Sequence, residues 1–359
     1  MLQQQREPSP AITDADEPVG TAECAALGRV LVTGAAGFIG SHLIERLLAM
    51  GCQVSGLDRR SPHSDPIAAG NLAAMQAHPN LTLLTHELNA VDLGETVTGH
   101  DTVFHLAAIP GVRPSWGTRF PEYVATNILA TQQLLAACET SGVQRLVFAS
   151  SSSVYGPASQ PSREYDPTVP ISPYGVTKLA GEQLCLAHGK RPDTNLLVRA
   201  LRYFTVYGPR QRPDMAIGRI LFAALSGVSV DLFGDGTQQR EFTYVADAVD
   251  ATIAAAQLDV PVPVVINVGG GSSVSMLDVI RVASQVTERP VPLNPMPAMP
   301  GDVPSTAADL TFAQALLHYQ PTVGLREGMA RQAEWMRGLE PEQYRAFLPT
   351  KTHPTEVQR

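Results

Sequence analysis

The chain of 359 residues carries 26 basic and 34 acidic side chains, a net charge of −8, and its basic residues are scattered, which leaves no patch for a polyanion such as nucleic acid. No uninterrupted apolar run reaches the roughly 18 residues needed to cross a membrane. Four widely spaced cysteines, Cys24, Cys52, Cys138 and Cys185, form no CxxC pair, so no metal site is suggested and reduced thiols in a cytoplasmic protein are expected.

Residues 1–28 are rich in Gln, Pro, Asp and Glu and lack a basic start followed by an apolar stretch, so a disordered tail is expected there. From residue 29, short β-branched runs alternate with amphipathic ones: RVLVT, FIGSHLIERLLAM, CQVSGLD, LTLLTHEL, TVFHLAA, a long helical stretch, then RLVFASSS. This βαβ rhythm predicts an α/β fold, a doubly wound parallel sheet of the Rossmann type. After residue 204 the rhythm breaks into proline-rich loops, a helix near 215–226 and a strand SVDLF, before VVINVGG returns to the sheet. The break predicts a smaller, interleaved C-terminal substrate-binding lobe. Residues 29–204 plus about 240–270 would form the cofactor domain, about 205–239 plus 271–340 the lobe, and 341–359 a weakly packed tail.

LVTGAAGFIGSHL sets Gly34, Gly37 and Gly40 between a strand and a helix, with Phe38 and Ile39 among them. The first glycine lets the chain turn, the second lets backbone approach a pyrophosphate, and the third lets helix pack on strand, while the helix N-terminus supplies N–H donors. The second strand ends at Asp58, where a carboxylate can accept ribose hydroxyls; this favours NAD. Arg59 and Arg60 follow and keep NADP as the alternative.

SPYGVTKLAGEQL puts Tyr174 and Lys178 four residues apart, on one face of a helix. Only three lysines stand against 23 arginines, so a lysine at this spacing is informative, although a surface helix pair is the alternative. A phenol with a reference pKa of about 10 needs help to act as a base at neutral pH, and an ammonium one turn away favours the phenolate. Tyr174 could then exchange a proton with a substrate hydroxyl. SSSSVYG, closing a strand, offers further hydroxyls to hold that oxygen.

Together GAAGFIG, SSSSVYG and YGVTK resemble the extended short-chain dehydrogenase/reductase family, in particular its nucleotide-sugar epimerases and dehydratases, over about residues 29–335. The resemblance implies tightly held NAD and catalysis by Tyr174, Lys178 and Ser151, with Ser152 and Ser153 as supporting hydroxyls. It places Leu106, Ala107 and Ala108 beside the cofactor and Glu87 and Leu88 at the adenine. Asn127 would lie near the bound nucleotide sugar, Arg240 of QREFTYVAD would grip the pyrophosphate, and Asp302 of PGDVPSTAAD would hold the uridine side. Met299 stands where the family often has Arg or Gln, so a phosphate contact is lost. A homodimer pairing helices near 120–140 and 172–190 is also implied.

Ser153 occupies the place where dehydratases and decarboxylases of this family carry a glutamate, and residues 149–156 contain no acid, which favours simple C4 epimerisation. In RYFTVYGPRQRPDM, Thr205 replaces the asparagine of UDP-galactose 4-epimerases, and TVYGPxxRPDM resembles UDP-glucuronic acid 4-epimerases. The resemblance implies that Thr205 and Arg212 hold a sugar carboxylate; a surface or phosphate-binding Arg212 is the alternative. Arg202 and Arg210 are expected to serve packing or solvent, and Arg113 of IPGVRPSW is a secondary substrate candidate. The expected reaction converts UDP-glucuronate to UDP-galacturonate through a 4-keto sugar. A 4-epimerase of neutral UDP-sugars and a UDP-glucuronate decarboxylase follow as alternatives, while the intact Tyr174–Lys178 pair argues against a non-catalytic NAD-binding regulator.

Overall fold

The computed structural model describes residues 21–298, 303 and 305–348. In chain order the strands are β1 (Val30–Thr33), β2 (Val54–Asp58), β3 (Leu81–Thr85), β4 (Thr102–His105), β5 (Arg145–Ser151), β6 (Leu197–Tyr203), β7 (Thr205–Tyr207), β8 (Val230–Phe233), β9 (Gln239–Tyr244), β10 (Val264–Val268), β11 (Ser273–Ser275) and β12 (Leu293–Met296). Seven of them form one sheet, ordered β10-β6-β5-β4-β1-β2-β3, with every neighbouring pair parallel. All four residues of β1 are buried, as in a strand covered on both faces. Strand order reverses at β1, which has β2 on one side and β4 on the other, and the crevice beyond the strands' C-terminal ends at such a point is where α/β sheets bind ligands.

Helices α1 (Thr21–Leu27), α2 (Phe38–Ala49), α3 (Pro66–Leu72), α4 (Leu93–Val97), α5 (Phe120–Val124), α6 (Ala130–Thr140), α7 (Pro173–Gly189), α8 (Ala216–Ser226) and α9 (Val245–Gln257) follow or flank these strands. A π-helical turn, Ala125–Leu129, joins α5 to α6. Two hydrophobic clusters form the interior. One includes Val32, Leu43 and Ile266, the other Leu31, Leu134 and Phe148, and the neighbouring residues Leu31 and Val32 feed opposite faces of the sheet. Helix α7 is fixed to the sheet by charge as well as packing: its fully buried Glu182 takes the Arg202 fork from β6 at 2.6 and 3.0 Å and the Ser150 hydroxyl from β5 at 2.6 Å. Arg202 is therefore a packing residue, as expected.

A single residue, Phe204, separates β6 from β7, so the chain steps from the large sheet into the smaller structure without a linker. There, β7 pairs in parallel with β9, β9 pairs antiparallel with β11, and β8 pairs with β12. Three boundaries differ from the sequence expectation. Residues 21–27 form a helix whose Leu27 is fully buried and whose carbonyl accepts from Thr102, so the expected tail to 28 is too long. Strand β9 belongs to the small sheet, although residues 240–244 were expected in the cofactor domain; only β10 returns to the large one. Finally, α10 (Met276–Thr287), α11 (Thr311–Leu317) and α12 (Leu325–Arg337) lead to α13 (Pro341–Arg345), where Tyr344 and the buried Phe347 pack on Phe222 at ring distances of 4.7 and 5.7 Å. Residues 341–348 thus join the core through aromatic contacts that a charged, turn-rich sequence conceals. Asp302 and Met299 lie outside the described residues.

Candidate active site

A cavity of about 960 Å³ runs along the C-terminal ends of the strands. At one end the β1–α2 loop is built from glycine backbone. Gly34 has φ +76°, and a Cβ there would stand 2.8 Å from the Ala107 nitrogen, while a Cβ on Gly40 would collide with the Gly34 carbonyl oxygen. Helix α2 begins on Gly37 with no side-chain cap, leaving first-turn N–H groups for a phosphate.

Asp58 braces this loop from the end of β2. Its Oδ2 accepts from the Ala36 N–H at 3.0 Å and its Oδ1 from the Arg60 N–H at 2.9 Å, and each oxygen keeps a lone pair for a ribose hydroxyl. Arg60 folds back, donating to the Ala36 carbonyl at 2.8 Å with its Nε 3.5 Å from Asp58, and Arg59 faces Glu87 at 3.9 Å. Both arginines are thereby paired with carboxylates instead of waiting for a 2′-phosphate. Glu87, Leu88, Leu106, Ala107, Ala108, Phe38 and Ile39 line the same stretch, so the glycine cradle and its rim fit a dinucleotide with a free ribose 2′-hydroxyl.

Midway, α7 brings in Tyr174 and Lys178. Ser172 caps the helix by accepting from the Gly175 N–H at 3.1 Å, and Pro173 suits its first position. Burial pushes the Tyr174 phenol up, while its hydrogen bond to Ser151 and the charge of Arg212 act in the opposite direction. Ser151 is itself held by the Ser153 N–H at 3.1 Å, and Ser151, Ser152 and Ser153 all line the cavity. Lys178 is buried, with its ammonium 4.4 Å over the Phe148 ring, and desolvation brings it down to about 8. The charge of Arg212, which also lines the cavity, favours the phenolate as well.

Beneath the site His105 bridges the Thr33 hydroxyl at 2.8 Å and the Thr131 hydroxyl at 3.0 Å. Burial, then Lys178, brings it down to about 3, so its ring stays neutral.

The far end is lined by Thr205 on β7 and by Arg212, Asp214 and Met215 from the loop before α8. Arg212 donates through Nε and Nη2 to Asp214 at 2.9 and 2.7 Å. Arg210 points away and pairs with Glu45 of α2 at 2.7 Å, so it serves packing as expected.

Three candidates lie off the cavity. Asn127 is buried in the π-helical turn and spends its amide on the Ile109 N–H and carbonyl, at 2.8 and 3.0 Å, and on Thr177; Ala125 and Thr126 line the cavity in its place. Its amide thereby ties the loop after β4 to the helix. The Arg113 guanidinium lies 4.4 Å over the Phe233 ring, Arg240 donates to the Gln239 carbonyl at 2.8 Å, and the residues lining this cavity do not include them. Conversely, Arg119 and Glu122, an i,i+3 pair at 2.9 Å, line the cavity, although their spacing alone reads as an ordinary surface helix pair.

A family model described as the NAD dependent epimerase/dehydratase family matches residues 30–269. The chain belongs to that family. It is an NAD-dependent epimerase, and the glycine cradle and the Ser151, Tyr174 and Lys178 constellation fall within the matched segment. A Bacillus subtilis (strain 168) relative, described as the uncharacterized UDP-glucose epimerase YtcB, is 41% identical over 313 residues, covering 87% of this chain and 98% of its own. Among solved structures, MoeE5 in complex with UDP-glucuronic acid and NAD is 48% identical with a TM-score of 0.80, covering 86% of this chain and 99% of that one; MoeE5 also has a structure with UDP-glucose and NAD. The UDP-glucuronic acid 4-epimerase of Bacillus cereus, bound to UDP-glucuronic acid and NAD, is 40% identical with a TM-score of 0.82 and covers 86% and 99%.

Proposed function

We propose that this epimerase inverts C4 of UDP-glucuronate to give UDP-galacturonate. The observation that carries the reading is the cavity lining, where Thr205 and Arg212 join Tyr174 and a sugar C6 carboxylate would meet a guanidinium whose charge also bears on the Tyr174 phenol. NAD, which Gly34, Gly37, Gly40 and Asp58 would hold, would supply the hydride acceptor and donor for C4. Ser151 and Tyr174 hold the C4 oxygen; the Tyr174 phenolate takes the hydroxyl proton and, as the phenol, gives it back. The buried Lys178 contributes charge beside the cofactor. Thr205 and Arg212 fix the carboxylate so that the C5–C6 bond does not stand perpendicular to the transient ketone, the alignment in which a β-keto acid loses CO₂. Ser153 in place of a glutamate leaves C5 without a base to deprotonate it for dehydration or an acid to protonate it after loss of CO₂, which disfavours both reactions.

The test is product NMR after incubation with UDP-glucuronate and no added cofactor, on wild type and Arg212→Ala. Wild type is expected to yield UDP-galacturonate from its retained NAD. Losing charge-assisted contacts of about 1.5–3 kcal/mol raises KM for UDP-glucuronate roughly 10- to 100-fold in the variant, which also releases more CO₂. Unchanged KM and product ratio in Arg212→Ala would sink the carboxylate clamp.

A second reading, 4-epimerisation of neutral UDP-sugars, is favoured by one observation: Asp214 already satisfies part of Arg212, so a sugar without a carboxylate does not strand the cation. A cytoplasmic homodimer also belongs to the proposal. It is supported by the exposed apolar side chains Val124 at the end of α5, Leu129 in the π-helical turn and Val176 on α7, and by four cysteines that are all unjoined.

A further inference from the structure

Arg212 and Asp214 are held by one tight turn. The Met215 N–H closes it onto the Arg212 carbonyl at 3.2 Å, and Pro213 sits at the second position, where its fixed φ favours the bend. The pairing is therefore built into the loop. A guanidinium has five N–H donors in a plane, presenting a side edge through Nε and Nη2 and an end edge through Nη1 and Nη2. Asp214 takes the side edge, at 2.9 and 2.7 Å. The end edge is left to meet a second acceptor, and both residues line the cavity that Tyr174 also lines.

We propose that Asp214 is a specificity-determining residue: a resident carboxylate on Arg212 that lets one site take sugars bearing either a C6 carboxylate or a C6 hydroxyl. This rests on the reading of Arg212 as the C6 contact. With a neutral sugar bound, Asp214 keeps the guanidinium paired, and the desolvation cost of a lone cation is avoided. With an acidic sugar bound, two carboxylates share one cation, and their repulsion subtracts from the affinity the cation alone would give. Asp214 therefore compresses the difference between the two substrates.

Dissociation constants of UDP-glucuronate and UDP-glucose, measured by calorimetry on the NAD-loaded enzyme, test this in wild type, Asp214→Asn and Asp214→Ala. Asparagine keeps one acceptor for the guanidinium and removes the charge. The preference for UDP-glucuronate is expected to rise about tenfold in Asp214→Asn, with the acidic sugar bound more tightly and the neutral one more weakly. Asp214→Ala moves the preference in the same direction. A structural lesion would weaken both ligands together, so a flat ratio, or a shift toward UDP-glucose, overturns the proposal. If wild type epimerises UDP-glucuronate while the ratio stays flat, the role of Asp214 falls alone. If wild type binds both sugars but epimerises neither, the functional reading falls and the ratio still decides Asp214; if it binds neither, both fall.

Discussion

The two ends of the cavity recognise their ligands with different material. At the cofactor end the contacts are mostly backbone: a loop in which Gly34 and Gly40 leave no room for a Cβ, an uncapped helix start, and Asp58 bracing the loop through main-chain N–H groups. At the sugar end they are side chains on a loop, Thr205 and the Arg212–Asp214 pair. Backbone recognition tolerates no added atom, yet it is indifferent to the charge of its neighbours. Side-chain recognition is the reverse: it survives small changes of shape and turns on which charge is paired with which.

A substitution in the glycine loop tests the first half of that contrast. Gly40→Val drives a Cβ into the Gly34 carbonyl, so the loop must move and NAD affinity should drop by on the order of 10³, about 4 kcal/mol. Protein purified from this variant should carry no dinucleotide absorbance; retained NAD would mean that the loop yields more easily than its packing implies.

Next comes the seam between the halves. Tyr174→Phe should lower kcat roughly 10²- to 10⁴-fold while leaving KM close to wild type, and equally for UDP-glucuronate and UDP-glucose. A loss confined to one sugar would show that Tyr174 belongs to the specificity half instead, where Arg212→Ala is expected to act on the acidic sugar alone.

The smallest effect is one of stability. Burial lowers Lys178 from 10.5 to about 8. Below pH 8 both folded and unfolded chains hold the proton and the full burial cost stands. Between about 8 and 10.5 the folded state sheds it first, so stability rises with pH. Lys178→Met should therefore stabilise NAD-free protein at pH 7, by at most about 3 kcal/mol, and the gain should vanish near pH 10.5 in denaturant unfolding. A gain that does not depend on pH would point to packing rather than charge.

The same contrast governs what could be read from the sequence. Glycine spacing and the Tyr174–Lys178 interval are local constraints, set by chain geometry over a few residues, and the cofactor residues expected from them line the cavity together. Asn127 lies in the π-helical turn at Ala125–Leu129 with its amide spent on Ile109 and Thr177, and no residue pattern announces such a turn. Arg113 and Arg240 have long side chains whose ends land several ångströms from their Cα atoms, on Phe233 and on the Gln239 carbonyl. Asp214 stood in plain view two residues from Arg212, but that its carboxylate would turn back onto the guanidinium depends on the turn around Pro213. The buried Glu182–Arg202 pair joins residues 20 apart on different elements, which only the fold brings together.

Arg210, at φ +64°, adopts a left-handed conformation unusual for a side-chain-bearing residue, and it is held by Glu45 while His42 bonds the Pro209 carbonyl at 2.9 Å. Glu45 and His42 both belong to α2, the helix whose first turn forms part of the glycine cradle. The sugar loop is thus indexed to the cofactor helix. A graft of residues 208–215 into a related scaffold would arrive out of register unless Glu45 and His42 travelled with it, so the exchangeable unit for redesigning substrate choice is a loop together with one face of a distant helix.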